Sequence, residues 1–201
     1  MKSLHTYSIL GLVLIHTIGI SLFLIDPAAA KLSYIIIAAC ALLVYLGQGV
    51  RTVVPLMIIF CGGFIIEWVG VHTGTLFGDY SYQSALGFKI LGIPLVIGLN
   101  WYCIVLASVS IAHYLKVNTL LKAIIAALLC VFLDVLIEPV AIKYDFWDWS
   151  SNEIPLYNYL CWFIFSFIFA LVALRYLKRS SKIATALFIT WTVFFTLLNL
   201  I

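Results

Sequence analysis

The sequence predicts an all-α membrane protein, a polytopic bundle of about seven transmembrane helices that forms one domain over residues 1–201. Hydrophobic residues make up 65% of the 201 positions. Charged residues make up only 9%, against roughly a quarter in soluble domains. Mean hydropathy is +1.20. Apolar runs of about 18 to 23 residues, each long enough to cross a hydrocarbon core of about 30 Å, follow one another almost end to end.

The predicted spans, in chain order, cover residues 6–25, 33–50, 53–71, 91–113, 121–142, 156–175 and 183–201. The first run follows Lys2 and lacks a clean small-residue cleavage site, so we expect it to remain as a helix and not to be removed as a signal peptide. The connections contain no Pro/Ser-rich linker and no repeat of fixed period, which favours a single domain.

Basic residues predict the orientation of the bundle, because Lys and Arg collect in the loops on the cytoplasmic side of a membrane. Alternating spans divide the loops into two sets. One set holds Lys2, Arg51, Lys116, Lys122, Arg175, Lys178, Arg179 and Lys182, and the other holds Lys31, Lys89 and Lys143. The imbalance predicts a cytoplasmic N-terminus. It also accounts for the net charge of +3 without a nucleic-acid-binding surface.

Several kinds of chemistry are excluded by what the chain lacks. Its 5 cysteines include no CxxC pair, so neither a zinc knuckle nor a disulfide framework is indicated. Its 4 histidines are scattered, unlike the short-spaced boxes of membrane di-iron enzymes. A retinal pigment needs a lysine in the last span, and 183–201 has none. No P-loop or dinucleotide fingerprint is present. We therefore predict no metal and no cofactor.

Ionisable residues inside predicted spans are costly and indicate function by default. Glu67, Asp134 and Glu138 are such residues, and the amides of Asn100 and Asn158 add uncharged polarity. The third and fifth spans run outward and the fourth runs inward. Counting from the span ends then places all five side chains in the outer half of the membrane. The sequence predicts one polar layer there.

Asp134 and Glu138 are four residues apart, so they share one face of the fifth helix. A low dielectric penalises a charged carboxylate, and a second carboxylate nearby penalises it again. At least one of the two should therefore keep its proton near neutral pH and serve as a general acid. The alternative is that the pair only holds helices together, through hydrogen bonds to Asn100, a tyrosine or backbone groups.

Two unusual loops lie above this predicted layer. "EWVGVHTGTLFGDYSY" (67–82) combines glycines, which permit tight turns, with His72, Asp79, Tyr80 and Tyr82. "KYDFWDWSSNEIP" (143–155) contributes two tryptophans. Aromatic residues also collect at ordinary membrane interfaces, so an interfacial belt is the alternative interpretation.

These features favour chemistry that needs only a proton, water and a lipid-soluble substrate. Protonation of an alkene by a carboxylic acid gives a tertiary cation, which water or an internal double bond can capture. Aromatic faces stabilise cations. The candidate faces are Trp68, Trp101, Trp147 and Trp162.

Four segments in order, "EWVGVHTGTLFGDYSY", "LGIPLVIGLNW" (91–101), "DVLIEPVAIKYDFWDW" (134–149) and "IPLYNYLCW" (154–162), carry a resemblance. Over about residues 63–165 the chain resembles the carotenoid biosynthesis family of membrane hydratases, of the bisanhydrobacterioruberin hydratase and γ-carotene hydratase type. The resemblance implies cofactor-independent addition of water to the terminal double bond of an acyclic carotenoid end group. It also implies an integral membrane location, in the cell (inner) membrane of a bacterium or archaeon.

The predicted roles rest on the depth argument. Asp134 or Glu138 would donate the proton, and Glu67 or Asp79 would orient the water, with help from Asn100 and Tyr80. The residues expected to bind the substrate are Trp68, His72, Tyr80, Tyr82, Asn100, Trp101, Trp147, Asn158 and Trp162.

Two other functions stay open at this point. An end-group cyclase would begin with the same protonation, and a non-catalytic isoprenoid or lipid carrier would use the acids only to hold its helices together. The expected partners are a hydrophobic polyene and membrane lipid, without nucleic acid. A homo-oligomer or an association with other carotenoid enzymes is also left open.

Overall fold

The computed structural model describes residues 2–151 and 153–201, and in these residues the chain forms a helical bundle. The helices are α1 (Lys2–Ile25), α2 (Ser33–Gln48), α3 (Val53–Thr73), α4 (Val96–Ala112), α5 (Thr119–Lys143), α6 (Leu156–Tyr176) and α7 (Lys182–Leu200). The short strands are β1 (Tyr80–Tyr82), β2 (Lys89–Ile90), β3 (Ile93–Pro94) and β4 (Trp147–Trp149). Two 3-10 turns, Pro27–Leu32 and Gly49–Thr52, flank α2.

The prediction of an all-α polytopic membrane bundle is confirmed. Among the described residues, 6 helices are long and apolar enough to cross a membrane. Many large apolar side chains on their outer faces are exposed, as expected of helices that face lipid. The cytoplasmic position of the N-terminus stays a prediction.

The fourth predicted span, 91–113, is wrong at its start, because α4 begins only at Val96 and has 17 residues. The residues before it form an antiparallel hairpin in which Lys89 pairs with Pro94 and Ile90 with Ile93. Leu91 and Gly92 turn this hairpin with φ angles of 50° and 82°, which a helix cannot contain.

Local signals set several of the other helix ends. The side chains of Asn118 and Ser181 accept hydrogen bonds from backbone N–H groups in the first turns of α5 and α7. Helix α3 ends at Gly74, whose left-handed conformation (φ 63°) directs its N–H to the carbonyl of Gly70 at 2.8 Å. Helix α5 continues through Pro139 to Lys143.

Helix α4 lies at the centre of the bundle, and nearly all of its residues are buried. It packs against α2, α3, α5, α6 and α7, whereas α1 packs mainly against α7. Because neighbouring helices surround it, α4 has no lipid-facing side of its own. It therefore forms the axis of the bundle.

One end of the bundle is covered by a two-stranded ribbon made of β1 and β4. Tyr80 pairs with Trp149 and Tyr82 with Trp147, while Ser81 and Asp148 form the pair between them. Side chains alternate between the two faces of a strand. The four aromatic residues are accordingly buried, and the Ser81–Asp148 pair is exposed. The ribbon turns a layer of aromatic rings toward the helix ends beneath it.

Candidate active site

Two buried glutamates meet beneath the ribbon. Glu67 lies near the end of α3 and Glu138 near the end of α5, while Asn100 and Asn158 lie near the starts of α4 and α6. Glu67 and Glu138 are 4% and 2% exposed. Both glutamates and both asparagines line one small cavity. Four of the five predicted polar residues are thus brought together at one cavity, and the fifth, Asp134, lies directly behind it.

Glu67 accepts three hydrogen bonds, all from aromatic side chains. The hydroxyls of Tyr80 and Tyr82 donate to its Oε2 at 2.5 and 2.7 Å, and the indole Nε1–H of Trp101 donates to its Oε1 at 2.8 Å. Burial, and then the nearby carboxyl of Glu67, raise the pKa of both tyrosines well above the usual value. Both hydroxyls therefore keep their protons. Glu67 is held by both edges.

Glu138 is bound by the other strand of the ribbon. The indole N–H groups of Trp147 and Trp149 donate to its Oε2 at 3.0 and 2.9 Å. The amide of Asn158 approaches its Oε1 at the longer distance of 3.4 Å. An indole N–H can only donate, so Oε2 can act only as an acceptor. Oε1 is the oxygen of Glu138 that remains available for a proton.

Asp134 lies one turn before Glu138 on α5 and is 1% exposed. The amide of Asn158 donates to its Oδ2 at 3.0 Å, so this one amide links the two acids. Among the described residues, Oδ1 of Asp134 has no hydrogen-bond partner. A buried acceptor without a partner is costly, and such atoms in folded proteins usually have a functional explanation.

The cavity between the two glutamates has a volume of about 20 Å³. A water molecule needs roughly 10–15 Å³ measured in this way, and two to four polar partners. The carboxyls of Glu67 and Glu138 and the amides of Asn100 and Asn158 supply such partners. The cavity therefore has the size and polarity for one water molecule.

Aromatic rings make up most of the remaining wall. Trp162 lines the cavity and stacks on Trp101, with ring centroids 3.9 Å apart and planes inclined by 14°. Phe77 lies against both rings, in a left-handed conformation (φ 65°) that is unusual for a bulky residue. The next residue, Gly78, has φ 141°, and a Cβ there would lie 2.7 Å from the ring of Trp149. This tight loop brings the rings together.

A second, larger cavity adjoins the first. It is an apolar groove of about 200 Å³ between α1, α2 and α7, and it includes Leu22, Phe23 and Ile36. Ile97, Asn100 and Trp147 line both cavities. The greasy groove therefore ends at the polar cavity, and the three shared residues form the junction.

Three predicted site residues lie elsewhere. The side chain of Asp79 is exposed, and only its backbone carbonyl is engaged, by the N–H of Ser150 at 3.0 Å. Trp68 is 39% exposed on the outside of α3, with His72 packed against it at 5.2 Å. None of the three lines the polar cavity.

Several lining residues were not among the predicted site residues, notably Phe77, Ile97, Trp149 and the groove residues of α1 and α7. A signal existed for Trp149, because it alternates with Trp147 on one strand and so shares its face. The groove had no comparable signal, since its apolar residues look like any other part of a span. Among the described residues, no group of three or more His, Cys, Asp or Glu is placed to hold a metal ion.

Comparison with known proteins supports the resemblance noted in the sequence. Residues 10–201 match the family described as carotenoid biosynthesis protein. Neither the curated proteins nor the solved structures contain a significant match. The family match covers nearly the whole chain, including every residue that lines the two cavities. The chain belongs to the carotenoid biosynthesis protein family.

Proposed function

We propose that this protein is a carotenoid hydratase, which adds water to the terminal double bond of an acyclic carotenoid end group in the cell membrane of a bacterium or archaeon. The observation that carries the proposal is the junction of the two cavities. An apolar groove suited to a hydrocarbon chain ends, at Ile97, Asn100 and Trp147, on a water-sized cavity lined by two carboxyl groups.

Glu138 is the proton donor in this proposal. It lines the polar cavity, whereas Asp134 lies behind Asn158. Two indole donors occupy its Oε2, so its transferable proton sits on Oε1. The proton passes to the less substituted carbon of the terminal alkene, and the π electron pair forms the new C–H bond. A cation remains on the tertiary carbon, where the faces of Trp147 and Trp162 can stabilise it.

Glu67 is the acceptor that completes the addition. The water oxygen bonds to the tertiary carbon, and one water proton passes to Glu67, directly or through the hydroxyl of Tyr80 or Tyr82. The proton then returns across the cavity to Glu138. The net change is one water added to one double bond, so the reaction consumes no cofactor. Because only donors surround Glu67, it is positioned to act as the base.

Asp134 acts on Glu138 through Asn158 and is a positioning residue. Its Oδ2 holds the amide of Asn158, and that amide approaches Oε1 of Glu138, the oxygen assigned to carry the proton. Replacing Asp134 with Asn should therefore lower the rate less than neutralising Glu138, and should shift the pH profile of the reaction.

The test is expression in cells that make lycopene or γ-carotene, followed by mass analysis of the pigments. Hydration raises the product mass by one water. Cyclisation leaves the mass unchanged, and would show instead that an internal double bond captures the cation. Unchanged pigments would favour a carrier. The water-sized cavity between the carboxyls favours hydration over cyclisation, because an internal double bond would need that space to be apolar.

A further inference from the structure

The apolar groove opens sideways, through the part of the surface that faces lipid. Ile18, Leu22 and Leu32 line the groove and are still 48%, 40% and 49% exposed. All three belong to segments long and apolar enough to cross a membrane. A mouth at this position leads into the hydrocarbon region of the bilayer and not to an aqueous surface.

The mouth lies between α1 and α2. Helix α1 packs mainly on α7 and α2 mainly on α4, and the two helices have little contact with each other. Small residues widen the gap further, namely Gly19 on α1, Ala29 in the connecting turn and Ser33 at the start of α2. A gap of this kind admits a narrow chain without separating well-packed helices.

The wall of the groove favours a hydrocarbon without a polar head. Its buried histidine, His16, uses both ring nitrogens within the protein. Nδ1 donates to the carbonyl of Leu12 at 2.8 Å, and Nε2 accepts from the indole N–H of Trp191 at 2.9 Å. Neither nitrogen remains for a ligand. A phospholipid head group would therefore find little compensation here for its lost hydration.

The size of the groove limits how much of a chain it holds. Clefts that enclose a drug-sized molecule usually measure roughly 300–1,000 Å³, whereas the groove measures about 200 Å³. A long polyene cannot be enclosed in that volume. One end of it can enter while the rest stays in the lipid outside α1 and α2.

We propose that α1 and α2 form a lateral portal through which one end of a long acyclic isoprenoid hydrocarbon enters from the bilayer. The reaction at the inner end rests on the proposed function, but the portal itself is a binding feature. Each binding event presents a single terminus to the polar cavity. A substrate with two reactive ends is therefore modified at one end, released, and bound again by the other.

Paired substitutions test the portal. Ile36→Trp fills the groove from α2, whereas Ile35→Trp places the same ring on a side chain that is 48% exposed outside it. Gly19→Leu fills the groove from α1, where a Cβ already lies 3.3 Å from the ring of Phe194. Its control is Gly11→Leu, because a Cβ at Gly11 meets no heavy atom within 4 Å.

The readout is retention of an acyclic C40 polyene by the purified protein in detergent, measured by absorbance, together with thermal unfolding. We expect both groove variants to retain at least tenfold less polyene than their controls. Equal retention by folded groove variants would overturn the portal. A wild-type protein that retains polyene but forms no water adduct would instead overturn the proposed function and leave the portal standing.

A time course with a symmetrical acyclic polyene tests entry by one end. Free singly modified product should accumulate before the doubly modified one, and added unmodified polyene should delay the second step by competition. Appearance of only the doubly modified product at early times would overturn release between the two steps.

Discussion

Changing Glu138 to Gln separates the chemistry of this residue from its structural role. The amide oxygen of Gln can take the place of Oε2 and accept from both Trp147 and Trp149. The amide nitrogen then faces Asn158, across a contact that is already long at 3.4 Å. Loss of that single weak contact should lower the free energy of unfolding by about 1 kcal/mol or less.

The rate should respond very differently from the stability. A positioned general acid contributes roughly 10²- to 10⁴-fold, which corresponds to about 3 to 5 kcal/mol of activation free energy. Glu138→Gln has no proton to give to the alkene, so product formation should fall within that range while the protein stays folded. Glu138→Ala should also be inactive. In addition, it leaves two buried indole N–H groups without an acceptor, at about 1 to 3 kcal/mol each.

The assay measures pigment composition in polyene-producing cells, normalised to membrane expression, with thermal unfolding of the purified protein. Asp148→Asn is the matched control, because Asp148 lies between the two tryptophans on the same strand but is exposed. It should keep full activity. A well-folded Glu138→Gln protein that retains more than about a tenth of the wild-type rate would contradict the role of Glu138 as proton donor.

Two further predictions concern Glu67. Gly63→Ala would place a Cβ 2.7 Å from Cγ of Trp101, so the indole must shift away from its 2.8 Å hydrogen bond to Glu67; we expect a loss of about 1 to 3 kcal/mol of stability and a lower rate, and an unchanged unfolding midpoint would contradict this. Tyr80→Phe and Tyr82→Phe should each weaken activity moderately, because the other hydroxyl still donates to the same oxygen. The double variant should lose more than the two single losses combined, as rates measured for all four proteins would show, whereas simple additivity would argue against a shared acceptor.

The polar residues of the site were visible in the sequence because a membrane makes them conspicuous. An acid within an apolar run is costly, and helices of alternating direction fix the end of the bundle at which each acid lies. These two facts were enough to select Glu67, Asp134 and Glu138. Their catalytic roles stay predictions, but the structure places the glutamates on one cavity and Asp134 one turn behind it.

The positions of Asp79, Trp68 and His72 follow from periodicity. Asp79 directly precedes Tyr80, and successive residues of an extended strand point to opposite faces, so a buried Tyr80 requires an exposed Asp79. Trp68 follows Glu67 by one residue and therefore points about 100° away from it around the helix. His72 is four residues beyond Trp68 and shares its outward face.

The ribbon and the groove could not be predicted from the sequence in this way. β1 and β4 have 3 residues each and are more than 60 positions apart, so no local pattern indicates that they pair. The groove is formed by α1, α2 and α7, whose apolar residues would look the same if they faced lipid. Both features depend on how the helices pack, which hydrophobic periodicity does not encode.

The shortness of α4 explains why a polar cavity can exist inside this bundle. With 17 residues at 1.5 Å each, α4 is about 25 Å long, roughly 5 Å less than the hydrocarbon core of a bilayer. A lipid-exposed helix of that length would leave polar backbone in contact with lipid, but α4 is enclosed by five other helices. Its first turns instead contribute Ile97 and Asn100 to the two cavities.

The space left above α4 is closed by the ribbon, which also supplies the hydrogen-bond donors. One strand provides the two hydroxyls for Glu67, and the other provides the two indole N–H groups for Glu138. Because each acid is held by its own strand, any movement that separated β1 from β4 would also separate the two carboxyls. The backbone pairing of the ribbon therefore fixes the distance between the proposed acid and base, and with it the room for a single water between them.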